Sequence, residues 1–335
     1  MINSYLKIKT SEAVFYLFCS LFLFFANAQE KKDKVNHNLI ELFKEWRNFE
    51  IPPLKEGVPD YSKNTFDVRF KQYKKIRNKL ESFSIDLWPV KDQVDWYLLW
   101  AEMNGYLFNY KILKPWERDP AFYKSIWTYK SDVPAHEGPT PHFTVELWQY
   151  NFPLNKKDRI KLLSSLELIP KFNKQAKINL TGNARDLWIA GIRDIEKQSQ
   201  ILEDLNLKPG VAKDKKLVMQ IKNAKDSTDD FVKWLKKEAF KKNGPSGIGK
   251  ENYTWYQQNV HLVPMTWEDE VFLLKRELAR AWSSLKLEEH RNRKLPQLKP
   301  ADSPSSYKKL AENAANELIN FLDQNQIVTV KEYFL

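Results

Sequence analysis

The stretch T-W-E-D-E-V-F-L-L-K-R-E-L-A-R-A-W-S-S-L, from Thr266 to Leu285, decides the fold class of this chain. Its apolar residues recur at steps of three and four positions, which places them on one face of an α-helix. Thr266 and Asp269 have the spacing of a capping box, in which each end group satisfies a free backbone amide of the first turn. The predicted apolar face consists of Val271, Leu274, Leu278, Ala281, Trp282 and Leu285.

The same helical spacing occurs through most of the chain. Further stripes run from Leu39 to Phe49, Phe66 to Phe83, Val94 to Leu107, Leu187 to Leu205, and along a final helix from about Ser305 to Gln324. We therefore predict an all-α fold, a multi-helix array of about ten helices in a single region from residue 29 to residue 335.

Helix punctuation supports this prediction. Asp119, Asn155 and Asn183 stand where helix N-caps are expected, because their side chains accept hydrogen bonds from first-turn amides. The helix that contains Val94 and Leu107 is apolar on all sides, which predicts a buried, central position for it.

Residues Gly244-Pro245-Ser246-Gly247-Ile248-Gly249-Lys250 match the phosphate-binding pattern G-x-x-x-x-G-K, but Glu251 follows. A nucleotide site needs Ser or Thr at that position to bind magnesium, and a carboxylate repels the phosphates. Such a loop also follows a buried strand, whereas a helical stripe through Phe231 precedes this one, with Ser227 as its expected cap. We predict that Gly244 ends that helix and that the segment binds no nucleotide.

The segment H-E-G-P-T-P-H, from His136 to His142, offers two imidazoles and a carboxylate. A helical zinc motif needs two histidines four residues apart. Here they are six apart, and Pro139 and Pro141 prevent a helix between them. We predict a proline-shaped loop in which His142 caps or hydrogen-bonds to the following helix, with no metal site and no cofactor in this chain.

Residues 1–28 have the features of a secretory signal peptide. Lys7 and Lys9 precede an apolar run from Ala13 to Phe25, and Ala26-Asn27-Ala28 fits the small-x-small pattern of a cleavage site. The run is shorter than the ~20 apolar residues that span a bilayer. We predict an exported protein, periplasmic or secreted, with no membrane association after cleavage.

The chain carries a formal charge of +11, but its basic residues are dispersed among acids, as in Lys236-Lys237-Glu238. This pattern indicates a solvated basic surface rather than a nucleic-acid site. Cys19 follows Phe18, where a lipidation signal needs a small residue, so we predict no lipid anchor.

The chain has 12 tryptophans and 14 tyrosines, and most of the tryptophans fall on helical stripes, which favours core packing over sugar stacking. The exceptions follow loops and are candidates for lining a cleft: Trp116, Trp148, Tyr150, Tyr253, Trp255 and Tyr256.

Five segments together resemble the bacterial domain-of-unknown-function family 885: Lys114 to Pro120, Glu137 to Thr140, Asn179 to Trp188, Gly244 to Glu270, and Leu287 to Arg293. The resemblance implies half of a helical, zinc-metallopeptidase-like cleft architecture. Members of that family resemble zinc peptidases whose metal motif reads His-Glu-x-x-Pro-Gly-His, in the second half of the sequence.

No His-Glu-x-x-Pro-Gly-His run occurs in the 335 residues. The resemblance therefore implies a truncated or split amino-terminal half that is not catalytic alone. It implies zinc only when the second half is present, and a separate carboxy-terminal half or a peptide substrate as partner.

Five polar or aromatic residues in or beside these segments are the predicted substrate-side residues: His142, Lys250, Tyr253, Tyr256 and His261. No catalytic residue and no metal ligand is predicted. The alternative is a helical binding or scaffold protein that engages peptide or glycan through the same loops and needs no second half.

Overall fold

The computed structural model describes residues 38–130, 143–296, 299–329 and 331. Their α-helices are α1 (38–50), α2 (Lys63–Glu81), α3 (Val90–Phe108), α4 (Pro115–Arg118), α5 (Lys156–Asn179), α6 (Arg185–Leu205), α7 (Lys215–Ala239), α8 (Lys250–Asn259), α9 (Trp267–Arg291) and α10 (Pro304–Gln324). The predicted all-α, multi-helix array is confirmed. The predicted signal peptide lies outside the described residues.

Two small strand pairs accompany the helices. Strand β1 (Leu54–Lys55) pairs antiparallel with β2 (Val58–Pro59), and β3 (Ile126–Trp127) pairs parallel with β4 (Val145–Glu146). Between α3 and α5 the chain also forms a π-helix (Asn109–Leu113) and a 3-10 helix (Pro120–Tyr123).

The chain divides into two compact units, and the division falls within α9, after Asp269. In the first unit, α1, α2 and α3 share an aromatic core. Trp46 is fully buried there and its ring meets Tyr73 and Tyr106 edge-on, at 6.4 and 5.8 Å between ring centroids. Such edge-to-face pairs contribute beyond the area that they bury.

Helices α5, α6 and α7 pack together around a second apolar core of the same unit. Leu166, Leu202 and Ile221, one from each helix, are almost completely buried in it. Next to it, Phe172, Trp188 and Phe231 extend the core toward α4 and the 3-10 helix. This packing fixes the ends of α6 and α7, where the candidate site lies.

Helix α3 is not buried on all sides, so the prediction of a fully central helix is wrong. Met103 and Leu99 are buried, but Val94 is 49% and Leu98 is 54% exposed. Contact with α1 and α2 covers one face of α3 and leaves apolar residues on the other face exposed. Apolar residues on all sides of this helix therefore do not mean that all sides are buried.

Among three of the predicted N-cap residues, two cap their elements and one does not. Asp119 and Asn155 cap their elements as predicted, accepting from the amides of Ala121 and Asp158. Helix α7, by contrast, begins at Lys215 under the side chain of Asp214. The predicted cap Ser227 therefore lies inside that helix and is not a cap.

In the second unit, which starts at Glu270, α9 and α10 carry their apolar stripes as predicted. Thr266, just before that unit, forms the capping box with Asp269: its hydroxyl accepts the Asp269 amide at 3.2 Å, and its own amide donates to the Asp269 carboxylate at 2.9 Å. Neither helix has a buried residue. Across the ranges that the structure describes, no helix combines the length and apolarity needed to cross a membrane.

Candidate functional site

The glycine-rich segment that follows α7 reaches back to the start of α6. The Ser246 hydroxyl oxygen accepts the backbone amides of Asp186 at 2.8 Å and Leu187 at 3.3 Å. These are first-turn amides of α6, which have no partner within the helix. Ser246 therefore caps α6 from a position sixty residues further along the chain.

Asn183 has a different role from the predicted helix cap. Its side-chain oxygen accepts the amides of Asn243 and Gly244, both at 2.8 Å, and its amide nitrogen donates to the Asn243 side chain at 2.8 Å. The prediction that Asn183 caps α6 is wrong, because its side chain holds the glycine segment instead.

Gly244 is required by a close approach rather than by a helix end. Helix α7 already ends at Ala239. A Cβ atom added at residue 244 would lie 2.3 Å from the backbone oxygen of Asn183, a distance that no real contact allows. The prediction that Gly244 ends helix α7 is therefore wrong, and the glycine is needed because the backbone of Asn183 lies so close.

Arg118 holds the same segment from the other side. Its guanidinium donates to the carbonyls of Pro245 at 3.2 Å and Ser246 at 3.0 Å, and to those of Ile112 and Leu113 at 3.4 and 3.3 Å. A planar guanidinium with five donors suits this arrangement of several carbonyls, and a lysine ammonium does not.

Gly182 completes the contact between α4 and the loop before α6. Its amide donates to the Glu117 carbonyl at 2.8 Å, and a Cβ atom there would lie 2.8 Å from that oxygen. We call Arg118, Gly182, Asn183, Gly244 and Ser246 the Arg118 junction. It joins three of the segments quoted for the family resemblance, from Lys114, Asn179 and Gly244 onward.

This geometry differs from a phosphate-binding loop. Such a loop directs several backbone amides at the ligand. Here the Gly244 amide is bonded to Asn183, and the carbonyls of Pro245 and Ser246 point at Arg118. The element before the loop is a helix, as the sequence indicated.

Lys250 opens α8, directly after Gly249, whose φ of 83° lies in the region that favours glycine. The Lys250 ammonium lies 3.9 Å from the centroid of the Trp267 ring and 3.5 Å from the Glu268 carboxylate. Both partners stand at the start of α9. This lysine therefore ties α8 to the following helix start and remains partly exposed.

Tyr256 and His261 lie together at the end of α8. Their rings meet edge-on at 4.9 Å, and Tyr256 also contacts Phe108 of α3 at 4.8 Å. Trp255 stacks on the same Phe108 ring at 5.7 Å. These contacts attach α8 to α3 and give Tyr256 a packing role, whereas its substrate-side role stays a prediction.

Tyr253 lies one turn after Lys250 on α8, and its hydroxyl accepts from the Gln257 side chain at 3.0 Å. The structure thus places Lys250, Tyr253, Tyr256 and His261 along one short helix and its following turn. His142 lies outside the described residues.

The remaining aromatic residues that were predicted to line a cleft differ in their exposure. Trp116 and Tyr150 are mostly buried, at 7% and 9% exposure, and both pack in the core. Trp116 also borders a cavity, which is described below. Trp148 remains 39% exposed.

The residues around His261 do not fit a zinc centre. Structural and catalytic zinc sites need at least three protein ligands, and the ring that contacts His261 belongs to a tyrosine. In the described ranges, no group of three or more His, Cys, Asp or Glu side chains is placed to hold a metal ion.

A cavity that sequence reasoning missed lies beside the Arg118 junction. It has a volume of about 250 Å³ between α2 and the turn that joins α3 to α4. Lys114, Trp116 and Glu117, from the quoted Lys114 to Pro120 segment, contribute to its wall. Among the described residues, further cavities lie between α1 and α2 and between α1 and α3.

No protein-family model and no curated protein matches this chain. A solved structure from Shewanella oneidensis, described as a putative lipoprotein of unknown function, is similar to it with 16% sequence identity and a TM-score of 0.49. The similarity covers 90% of this chain and 58% of that protein, so this chain spans little more than half of its length. A likeness this distant carries no conclusion about function.

Proposed function

We propose that this chain is the amino-terminal, non-catalytic part of an exported protein of the kind represented by family 885, and that α9 and α10 bind the part carrying the metal motif. The observation that carries the proposal is the pair of long helices with uncovered apolar faces. Export rests on the signal-peptide pattern of residues 1–28.

The α9 face is apolar and open over several turns. Leu274, Leu278, Trp282 and Leu285 are 64%, 58%, 52% and 47% exposed. Burying one such side chain contributes about 1.5–3 kcal/mol. Soluble monomers rarely leave a contiguous apolar patch of this kind uncovered, and such patches mark interaction sites.

Helix α10 presents a second open face. Tyr307, Leu310, Leu318 and Phe321 are 68%, 53%, 58% and 54% exposed. Small residues stand between them along the helix, at Ala311, Ala314 and Ala315. Small residues let a second helix approach closely, so this face suits a helical partner.

The charge pattern indicates the chemistry of that partner. Lys275 and Lys286 flank the apolar stripe of α9 along one edge, and Glu270, Glu277 and Glu288 flank it along the other. An amphipathic helical surface with charges of the opposite sign along each edge would complement this stripe and bury it. The occupant within this proposal is the polypeptide that carries the His-Glu-x-x-Pro-Gly-His motif.

Within this proposal the first unit forms a cleft wall. The Arg118 junction fixes the glycine segment, and α8 follows it with the candidate substrate-side residues Lys250, Tyr253, Tyr256 and His261. Their contribution is to bind and orient a peptide. The metal chemistry belongs to the partner polypeptide.

Purified mature chain, residues 29–335, tests the non-catalytic assignment. We expect no stoichiometric zinc by elemental analysis after dialysis, and no cleavage of a fluorogenic peptide library with or without added zinc. Stoichiometric zinc accompanied by peptide cleavage in the isolated chain would contradict the proposal.

The second candidate function is a helical peptide- or glycan-binding scaffold that needs no partner half. Exposed rings favour it: Tyr129 is 59% and Trp148 is 39% exposed, and rings of this kind stack on sugars. A monomer that melts cooperatively, binds no apolar dye and binds a glycan or peptide would support this function instead.

A further inference from the structure

The cavity of about 250 Å³ beside the Arg118 junction has an unusual backbone on one side. Helix α3 continues into the π-helix Asn109–Leu113, which ends at Lys114 with φ 42° and ψ 55°. A non-glycine residue in this left-handed region is strained, and π-helical turns occur frequently at functional sites. Lys114, the strained residue, lines the cavity, which makes the cavity a candidate binding site.

Charged groups of both signs surround the cavity. Lys63 pairs with Asp67 at 2.8 Å, while Lys114 approaches Glu117 only to 3.9 Å. Lys111 adds a third ammonium group to the wall. Three ammonium groups against two carboxylates leave an excess of one positive charge, which suits a ligand with a single negative group.

Hydrogen bonding and burial fix the protonation states of Asp67 and Tyr110 in the cavity wall. The hydroxyl of Tyr110 donates to the Asp67 carboxylate at 3.3 Å. The hydrogen bond from Lys63 lowers the pKa of Asp67, and burial raises the pKa of Tyr110. At neutral pH the wall therefore presents a carboxylate and a protonated phenol.

An aromatic pair forms the apolar side of the cavity. The rings of Phe66 and Trp116 stack at 3.6 Å between centroids with 18° between planes. Both residues are mostly buried, so only part of the pair borders the cavity. This side suits a short aliphatic or aromatic body.

We propose that this cavity binds a single α-carboxylate-bearing residue, either a free amino acid or the last residue of a short peptide. The ligand carboxylate accepts from the ammonium groups of Lys111 and Lys114, and its apolar body faces Trp116. The volume lies below the ~300–1,000 Å³ of sites for larger ligands. Glu117 and Asp67 disfavour a phosphate dianion, because both carboxylates repel it. This site is independent of the docking proposed for α9 and α10.

The test measures binding to the full mature chain by ligand-observed NMR and calorimetry. The probes are leucine, the dipeptide Ala-Leu, leucinamide, which lacks the carboxylate, and inorganic phosphate. We expect millimolar or tighter binding of leucine or Ala-Leu, and at least tenfold weaker binding of leucinamide and phosphate. Leucine alone would identify a free amino acid as ligand, and Ala-Leu alone a peptide terminus.

Variants locate the site. We expect Lys111→Gln and Lys114→Gln each to weaken binding of the carboxylate probe at least fivefold without changing the melting temperature. The matched control is Lys157→Gln, at an exposed lysine on α5, which should bind as the wild type does. Equal binding of leucine and leucinamide, preference for phosphate, absence of binding, or unchanged affinity in both variants would each overturn the proposal.

Discussion

The hydroxyl oxygen of Ser246 accepts the backbone amide of Asp186 at 2.8 Å and so closes the first turn of α6 from sixty residues away. With Arg118 holding the adjacent carbonyls, this bond attaches the glycine segment to the three-helix core. The position of α8, and of the candidate residues on it, follows from this attachment.

Replacing Ser246 tests the cap. We expect Ser246→Ala to lower the free energy of unfolding by about 1 kcal/mol, because two α6 amides lose their acceptor. Urea denaturation monitored by circular dichroism measures this change. Ser164→Ala is the control, since that exposed hydroxyl bonds only within its own helix, and we expect a change within about 0.5 kcal/mol. Equal effects of the two substitutions would show that Ser246 caps nothing.

Gly244 and Gly247 lie in the same segment but have different surroundings, so alanine substitutions at the two positions form a matched comparison. We expect Gly244→Ala to destabilise the fold by about 1–3 kcal/mol, because the new methyl group would overlap the Asn183 carbonyl. Gly247→Ala meets no atom within 4 Å and should change stability by less than about 0.5 kcal/mol. Thermal denaturation of both variants provides the comparison, and the reverse order of stabilities would refute the close-approach role of Gly244.

The contacts of Asp214 predict a specific pH dependence of the free energy of unfolding. It caps α7 through the Leu217 amide and pairs with Arg159, and the hydrogen bond from Arg159 lowers the pKa of its carboxyl to about 2. The unfolded value is about 3.9. Because the folded pKa is the lower one, this stabilisation is complete above about pH 5 and is lost as the pH falls toward 2.

The measurement compares wild type with Asp214→Asn by urea denaturation between pH 7 and pH 2.5. We expect the wild type to be more stable at pH 7 and the difference to shrink steadily below pH 5. A difference that stays constant over this range would exclude a titrating role for Asp214.

The open face of α9 predicts the behaviour of the isolated chain. Substituting Leu278→Glu and Trp282→Glu together should reduce binding of an apolar dye and self-association, while the melting temperature stays the same or rises. Neither side chain is buried, so no core contact is lost. Light scattering after gel filtration measures association. Lys157→Glu, at an exposed lysine of α5, is the control. A large loss of stability in the double variant would show that the face is covered in the folded chain.

The fold class was predictable because helical periodicity is a local property. The spacing from Thr266 to Leu285 predicts α9 and its capping box, and the spacing after Ser305 predicts α10. Side-chain periodicity does not report how much of a helix is covered, and this is why α3 was expected to be buried on all sides.

The site was less predictable because its bonds join distant segments. Nothing near Asp186 in the sequence indicates that Ser246 supplies its cap, and Asn183 has the residue type of a cap without acting as one. The cavity at Lys114 depends on a left-handed backbone at a lysine, a position that no glycine marks. The structure shows contacts between three of the segments that carry the family resemblance.

The docking of α9 and α10 is the central claim, and complex formation tests it most directly. The DNA beyond codon 335 is read in three frames for a His-Glu-x-x-Pro-Gly-His coding stretch. The encoded polypeptide is then expressed separately, mixed with residues 29–335, and followed by light scattering and calorimetry. We expect a one-to-one complex that the Leu278→Glu, Trp282→Glu double variant weakens at least tenfold and that Lys157→Glu, at an exposed lysine of α5, leaves intact. Absence of such a coding stretch, or a complex unaffected by the double variant, would contradict the account.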